Sequence, residues 1–359
     1  MIRTYLDHAA TTPLRPQARA ALEEGWRLWA NPSSPHAEGR AARRALEDAR
    51  ERIRQALGWT GELVFTSGAS EAAALALNHA RAGSRLVSAV EHDSILRAAT
   101  GATVLPVGAD GALDLELLAR ELAAADDPLV AVQSLNSETG AGQDLPAIAD
   151  RVRAAGGLFL VDASQSAGKY PLPCAPDMAI LSAHKFGGPV GIGALLVADW
   201  AMLRASGGQE RGYRSGTENL PGALAMAAAL DAAGDTYMSF DAEEVLRPFA
   251  EEVRAVAGTW LSDRLAAPTG YIHAVAMPDL SATAQLMRFD LAGIAVSQGS
   301  ACSSGSLRTS HVLAATGLPD ALAARTIRIS LGWNTTREDL DRFCDAWLGM
   351  ARPAAGRAA

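Results

Sequence analysis

Short apolar runs recur at 62–66, 85–90, 103–107, 129–135, 158–161, 178–182 and 192–197. Each is too short for a helix and continuous rather than alternating, the pattern of strands buried on both faces. Helical spacing fills much of the sequence between and before them. Apolar residues at 42, 45, 46, 49, 53, 56 and 57 form one helix face, and Ser34-Pro35 predicts its start, with the proline at the first helical position. Further helices are predicted from about Glu71 to His79 and over about 221–233. This succession predicts an α/β fold: a large domain with a mostly parallel seven-stranded sheet covered by helices. From about residue 241 the strict alternation stops, and mixed signals predict a small α+β domain. The expected division is 15–240 for the large domain, with 1–14 and 241–359 in the small one. In the latter, Ile327–Leu331 predicts a strand with Arg328 pointing outward. Thr335 and Glu338 predict a capping box. Leu340, Phe343, Cys344, Trp347 and Leu348 follow helical spacing, so Cys344 is a core residue.

Length and composition narrow the function classes. The 359 residues are 49% hydrophobic and 20% charged, which suits two globular domains. The net charge of −8 argues against nonspecific nucleic-acid binding. The longest apolar stretch, around Ala223–Leu230, is too short to span a bilayer, and the N-terminal residues carry no apolar signal-peptide region. Cys174, Cys302 and Cys344 have no C-x-x-C spacing, so no zinc or thioredoxin-type motif is expected, and no metal site. A low, odd cysteine count fits a reducing, cytoplasmic setting.

The candidate chemistry lies at strand ends, where open α/β sheets bind ligands. The run at 158–161 ends in Asp162; the run at 178–182 leads into Ser182, His184 and Lys185. A carboxylate facing a ring nitrogen and a lysine able to form an imine are what pyridoxal phosphate (PLP) requires. These two residues alone also fit a strand-end acid and an ordinary surface lysine. After the first strand, Thr66-Ser67-Gly68-Ala69-Ser70 leads into a helix, a geometry that binds anions through free backbone N–H groups. His92, after the second strand, is either a ring-stacking or proton-moving group or a solvated strand-end histidine. The Gly-rich loop 207–219 carries Arg211, Arg214 and Thr217 as candidate phosphate contacts. Gly299–Ser306 is small and polar, with Cys302 at its centre.

Taken in order, the motifs Y-L-D-H-A-A-T-T, N-P-S-S-P-H-A-E-G-R, T-S-G-A-S-E, E-H-D-S-I-L, V-D-A-S-Q-S-A-G-K, S-A-H-K-F-G-G-P, G-G-Q-E-R-G-Y-R-S-G-T-E-N, G-S-A-C-S-S-G-S and I-R-I-S-L-G run from Tyr5 almost to Leu348. In this order they resemble the class V branch of PLP-dependent, fold type I enzymes, and more narrowly the group I cysteine desulfurases that supply sulfur for iron–sulfur clusters. The resemblance implies Lys185 as Schiff-base lysine, Asp162 as partner of the pyridinium, and Gln165 on the phenolic oxygen. It implies His92 stacked on the ring, and Ala69, Ser70, Ser182 and His184 around the phosphate. Thr217 would contact the phosphate from a second subunit of a homodimer. Cys302 would be the catalytic cysteine, Arg328 the clamp on the substrate carboxylate, and Asn31 and Ser137 further substrate contacts.

The implied reaction turns L-cysteine into L-alanine and leaves a persulfide on Cys302 for a sulfur acceptor protein such as an iron–sulfur scaffold. No Lys, Arg or His lies within six residues before Cys302 or five after it, so His92 or the substrate amine are the candidates to activate it. Related alternatives are a selenocysteine lyase, a class V aminotransferase, or a weakly active desulfurase-like scaffold for sulfur carriers. The chain departs from the family pattern at Ser70 (usually threonine), at Ala73 or Ala74 (usually an asparagine there), at Val190 (usually lysine) and at Ser137 (usually asparagine).

Overall fold

The computed structural model describes residues 3–234, 237–299 and 310–352. Its strands in chain order are β1 (Thr4–Tyr5), β2 (Glu62–Thr66), β3 (Arg85–Ser88), β4 (Thr103–Leu105), β5 (Leu129–Gln133), β6 (Leu158–Asp162), β7 (Met178–Ser182), β8 (Gly193–Val197), β9 (Thr259–Trp260), β10 (Ile272–Ala276), β11 (Ile294–Ala295) and β12 (Thr326–Ser330). Seven of them form one sheet in the order β2-β8-β7-β6-β5-β3-β4. Within it β8 pairs antiparallel with both β2 and β7, and the other pairings are parallel. Every strand except β8 therefore delivers its carboxyl end to the same edge of the sheet. Strands β5, β7 and β8 are buried at every position, which is why they read as unbroken apolar runs.

Both faces of the sheet are covered. One apolar core joins Leu63, Phe65, Val130, Val161 and Leu181 to the helices Ala37–Ala56, Leu145–Ala154 and Leu220–Asp231. The other joins Val64, Leu160, Ile180 and Leu195 to the helix Ala69–His79. Leu220–Asp231 is apolar on nearly every side because it is buried among neighbours. A Cβ on Gly25 would lie 2.9 Å from Pro221 Cβ, so the helix Pro16–Arg27 packs against its start only with glycine there.

A third core gathers Leu6, Leu246, Phe249, Trp260, Val275, Ile327, Phe343 and Trp347. It lies under the three-stranded sheet β12-β10-β9 and the helices Glu243–Ala255 and Arg337–Ala351. Cys344 is buried in it.

Several expected boundaries move. The helix predicted to start at Ser34-Pro35 starts at Ala37, because the His36 side chain caps it by accepting from Gly39 N–H. The capping box is Thr336 with Asp339, not Thr335 with Glu338. Thr335 Oγ1 is already committed, accepting from Gly332 N–H at 2.9 Å and lying 3.3 Å from His8 Nε2. Arg328 does not point outward to solvent: it is buried, and its charge is compensated inside the fold. Strands β3, β4 and β5 each end two residues before the apolar run does. After β3 and β5 the chain leaves the ladder to build the site wall.

Candidate active site

A crevice of about 550 Å³ opens at the carboxyl ends of the strands, and its lining brings together residues from most of the chain. From β2 come Ser67 to Glu71, from β3 His92, from β5 Gln133, Leu135 and Ser137, from β6 Asp162 and Gln165, and from β7 Ser182, His184 and Lys185. Arg328 of β12 closes one side.

The first wall is the turn before the helix Ala69–His79. Gly68 has φ 151° and ψ −178°, a backbone region open in practice only to glycine. A Cβ on Gly193 would sit 2.7 Å from Gly68 Cα, so the turn rests directly on the backbone of β8. The helix therefore starts at the crevice, where its first N–H groups have no intrahelical partners, next to Ser182 and His184. His184 Nδ1 is 3.1 Å from Thr11 Oγ1. Burial, and then the Lys185 ammonium, push its pKa down to about 4, so the ring is neutral near pH 7.

Lys185 sits just beyond β7, in the short helical turn Ala183–Lys185. Its Nζ donates to the carbonyls of Ala9 at 2.6 Å and Ala10 at 2.9 Å. Gln165 shares the first of these, Nε2 donating to Ala9 O at 2.9 Å. Lys169 approaches from behind, with Nζ 3.5 Å from Gln165 Oε1. Burial and the neighbouring Lys185 lower its pKa to about 7. Asp162 ends β6 half-buried, and its Oδ1 accepts from Ser164 N–H at 2.9 Å. His92 caps the next helix, its Nδ1 accepting from Ser94 N–H at 3.1 Å. Beneath it the fully buried Glu91 carboxyl is held well above its ordinary pKa, chiefly by burial.

On the far side, Arg328 Nη1 donates to Ser137 O at 2.7 Å and Nη2 to Asp7 Oδ1 at 2.6 Å. The chain thus gathers Lys185, Asp162, Gln165, His92, Ala69, Ser70, Ser182, His184, Arg328 and Ser137 around one space. Two expected residues are elsewhere: Asn31 is exposed, accepting from Ser33 N–H, and Thr217 is exposed outside this chain's crevice lining. Arg211 and Arg214 are engaged by carboxylates, Arg211 with Glu62 and Arg214 with Glu71. Cys302 lies outside the described residues. Sequence reasoning missed Asp7 and the Ala9 and Ala10 carbonyls. Their signal was the motif Y-L-D-H-A-A-T-T, to which no role had been given.

Fold and site together define an α/β protein with a mostly parallel seven-stranded sheet whose strand ends bring an acid and a lysine to one crevice. The chain belongs to the aminotransferase class-V family, whose model matches residues 4–343. It is 39% identical to a cysteine desulfurase of Cereibacter sphaeroides, over 96% of this chain and 95% of that one. Among solved structures it is similar to a NifS-like protein from Rickettsia africae, with TM-score 0.86 and 30% identity over 97% of this chain and 99% of that one. It is also similar to SspA in complex with cysteine, with TM-score 0.79 and 29% identity over 93% and 100%.

Proposed function

We propose that the chain is a PLP-dependent cysteine desulfurase that converts L-cysteine to L-alanine and passes the sulfur on through Cys302. The observation that carries this is the convergence of Lys185, Asp162 and Arg328 on one crevice: an amine for an aldehyde, an acid for a ring nitrogen, and a guanidinium for an α-carboxylate. When bound, PLP supplies an electron sink for bond breaking at the substrate Cα.

The residues present fit that group. The first N–H groups of the helix Ala69–His79, with Ser70, Ser182 and neutral His184, would hold the phosphate. Asp162 would face the ring nitrogen. Gln165 has one N–H on Ala9 O and would offer the other to the phenolic oxygen. His92 would lie over the ring. Lys185, released from the aldehyde, would move the Cα proton. Cys302 would bond its sulfur to the substrate sulfur as the carbon–sulfur bond breaks, and the carbon fragment would leave, after protonation, as alanine.

The reading includes a homodimer in which Thr217 reaches the partner's site. Supporting it, Trp26, Trp29 and Val190 are 64%, 78% and 73% exposed. They lie near the helix start at Leu220, since Asn219 Nδ2 donates to Gly191 O at 3.3 Å and Gly25 meets Pro221. This is an apolar rim beside Thr217, suited to a second copy. The reading also includes a division of the chain into 15–240 and 1–14 with 241–359, supported by the separate core that contains Leu6. A sulfur acceptor such as an iron–sulfur scaffold and a cytoplasmic location complete it; no helix among the described residues is long and apolar enough to cross a membrane.

The test is incubation of the purified holoenzyme with L-cysteine and a reductant. Sulfide and alanine are expected in equal amounts, and Cys302→Ser should keep bound PLP while releasing no sulfide. Wild-type turnover by that variant would remove the persulfide relay. Turnover confined to selenocysteine would favour a lyase, and amino-group transfer to a keto acid an aminotransferase.

A further inference from the structure

Arg328, the group assigned above to the substrate carboxylate, already carries one. Nη2 donates to Asp7 Oδ1 at 2.6 Å and Nη1 to Ser137 O at 2.7 Å, while Nε is buried with no hydrogen-bond partner among the described residues. The side chains are only 3% and 23% exposed, so water screens this ion pair poorly. Asp7 cannot swing far away. Its carbonyl accepts from Ala10 N–H at 3.1 Å and from Tyr5 Oη at 3.2 Å, and its backbone bridges Ser330. A guanidinium holds a carboxylate best through two N–H groups along one edge. Nη2 carries a second N–H besides the one given to Asp7, so Arg328 keeps donor capacity for a second carboxylate. Any such carboxylate must bind beside the charge of Asp7.

We propose that Asp7 is a specificity-determining residue: a resident carboxylate on Arg328 that keeps the clamp oriented and neutralised and weakens the binding of every α-amino acid that enters. This rests on the assignment of Arg328 to the substrate carboxylate. Asp7 therefore sets affinity through charge. Ligands that carry an α-carboxylate feel it, and amines that lack one do not.

Asp7→Asn separates charge from geometry, because the amide oxygen still accepts from Nη2. In the holoenzyme, KM for L-cysteine should fall at least threefold, with the change in KM rather than a rise in kcat. The Kd of L-alanine, read by absorbance or calorimetry, should fall by a similar factor, while that of ethylamine, which is alanine without its carboxylate, stays within twofold. Asp7→Ser, which removes the charge with a smaller side chain, should act in the same direction and serves where Asp7→Asn does not fold. A rise in the alanine Kd with either folded variant, or an equal shift for alanine and ethylamine, would overturn the proposal. The assignment of Arg328 fails separately: if Arg328→Ala leaves alanine binding unchanged in a folded holoenzyme, the clamp lies elsewhere. If Arg328→Ala weakens alanine binding, Asp7→Asn added to it should recover part of the loss, because the carboxylate left without its guanidinium repels that of the ligand; no recovery would mean that the Asp7 charge does not reach the ligand.

Discussion

Ser137 stands where the resembling family has an asparagine. Its carbonyl accepts from Arg328 Nη1 at 2.7 Å, and the half-buried residue lines the crevice. Its hydroxyl reaches one atom less far than a carboxamide and offers one donor rather than two. Asn136 next to it cannot substitute. Its Oδ1 accepts from Glu138 N–H and Thr139 N–H, both at 2.9 Å, and its Nδ2 lies 3.2 Å from Val90 O and 3.4 Å from Gln133 Oε1. Gln165 has one N–H on Ala9 O, and its other is assigned above to the phenolic oxygen. Ser137→Asn therefore adds a donor that no described neighbour replaces. A hydrogen bond to a charged group contributes about 1.5–3 kcal/mol, and a bridging water recovers much of it for the serine. With about 1.36 kcal/mol per factor of ten, a residual gain of about 0.65 kcal/mol is threefold. The expected result is a rise in kcat/KM for L-cysteine of roughly threefold or more. Steady-state kinetics on the two proteins is the assay. A flat or falling kcat/KM would refute the reasoning and mean that the wall has been rebuilt around the serine.

Lys185→Ala should remove the imine absorption band of the holoenzyme while noncovalent PLP binding partly persists; an unchanged imine band would take Lys185 out of the site. In mixed dimers of Lys185→Ala and Thr217→Ala subunits, one site carries both lesions and the other neither, so activity should partly return; no recovery would mean that each site belongs to one chain. Glu210→Ala should cost about 3 kcal/mol in urea unfolding, because it strands Arg50, whose buried guanidinium donates to both Glu210 oxygens at 2.8 and 3.0 Å. A loss below about 1 kcal/mol would show that Glu47, 3.1 Å from Arg50 Nε, holds the charge alone.

The large sheet was legible because strands buried on both faces are written as continuous apolar runs, and the turns after them as small polar residues. Lys185, Asp162 and the Gly68 turn could be read for the same reason: each ends its strand or follows within three residues of it. What failed was whatever depends on a distant partner. Spacing placed Arg328 on an outward side of β12, whereas it is buried, because Asp7 and Ser137 stand there to neutralise it. Spacing could not choose between Thr335 and Thr336, because the choice is made by His8 and Gly332. Glu210 looked like one more polar residue of a Gly-rich loop, yet it is buried on Arg50 and also accepts from Phe65 N–H at 2.8 Å. That contact ties the loop carrying Thr217 to the large sheet.

The N-terminal segment shows why such partners matter to the chemistry. On one side it belongs to the third core: Leu6 is part of it, β1 pairs with β11, and Ala9 N–H donates to Ser330 Oγ at 2.8 Å. On the other side it grips the lysine turn. Thr12 N–H donates to His184 O at 2.7 Å, Thr12 Oγ1 to Lys185 O at 3.1 Å, and Arg15 Nε to Phe186 O at 3.1 Å. The groups that receive the Lys185 ammonium are the carbonyls of Ala9 and Ala10, and carbonyls leave no mark in a sequence because every residue has one. Asp7 and Ala10 share one turn, closed by the Ala10 N–H bond to Asp7 O at 3.1 Å. The resting positions of the Arg328 guanidinium and the Lys185 amine are therefore both referred to a few consecutive backbone units. In the proposed reading the spacing between the carboxylate clamp and the reactive amine has to match a single amino acid, and a short, hydrogen-bonded segment fixes that spacing.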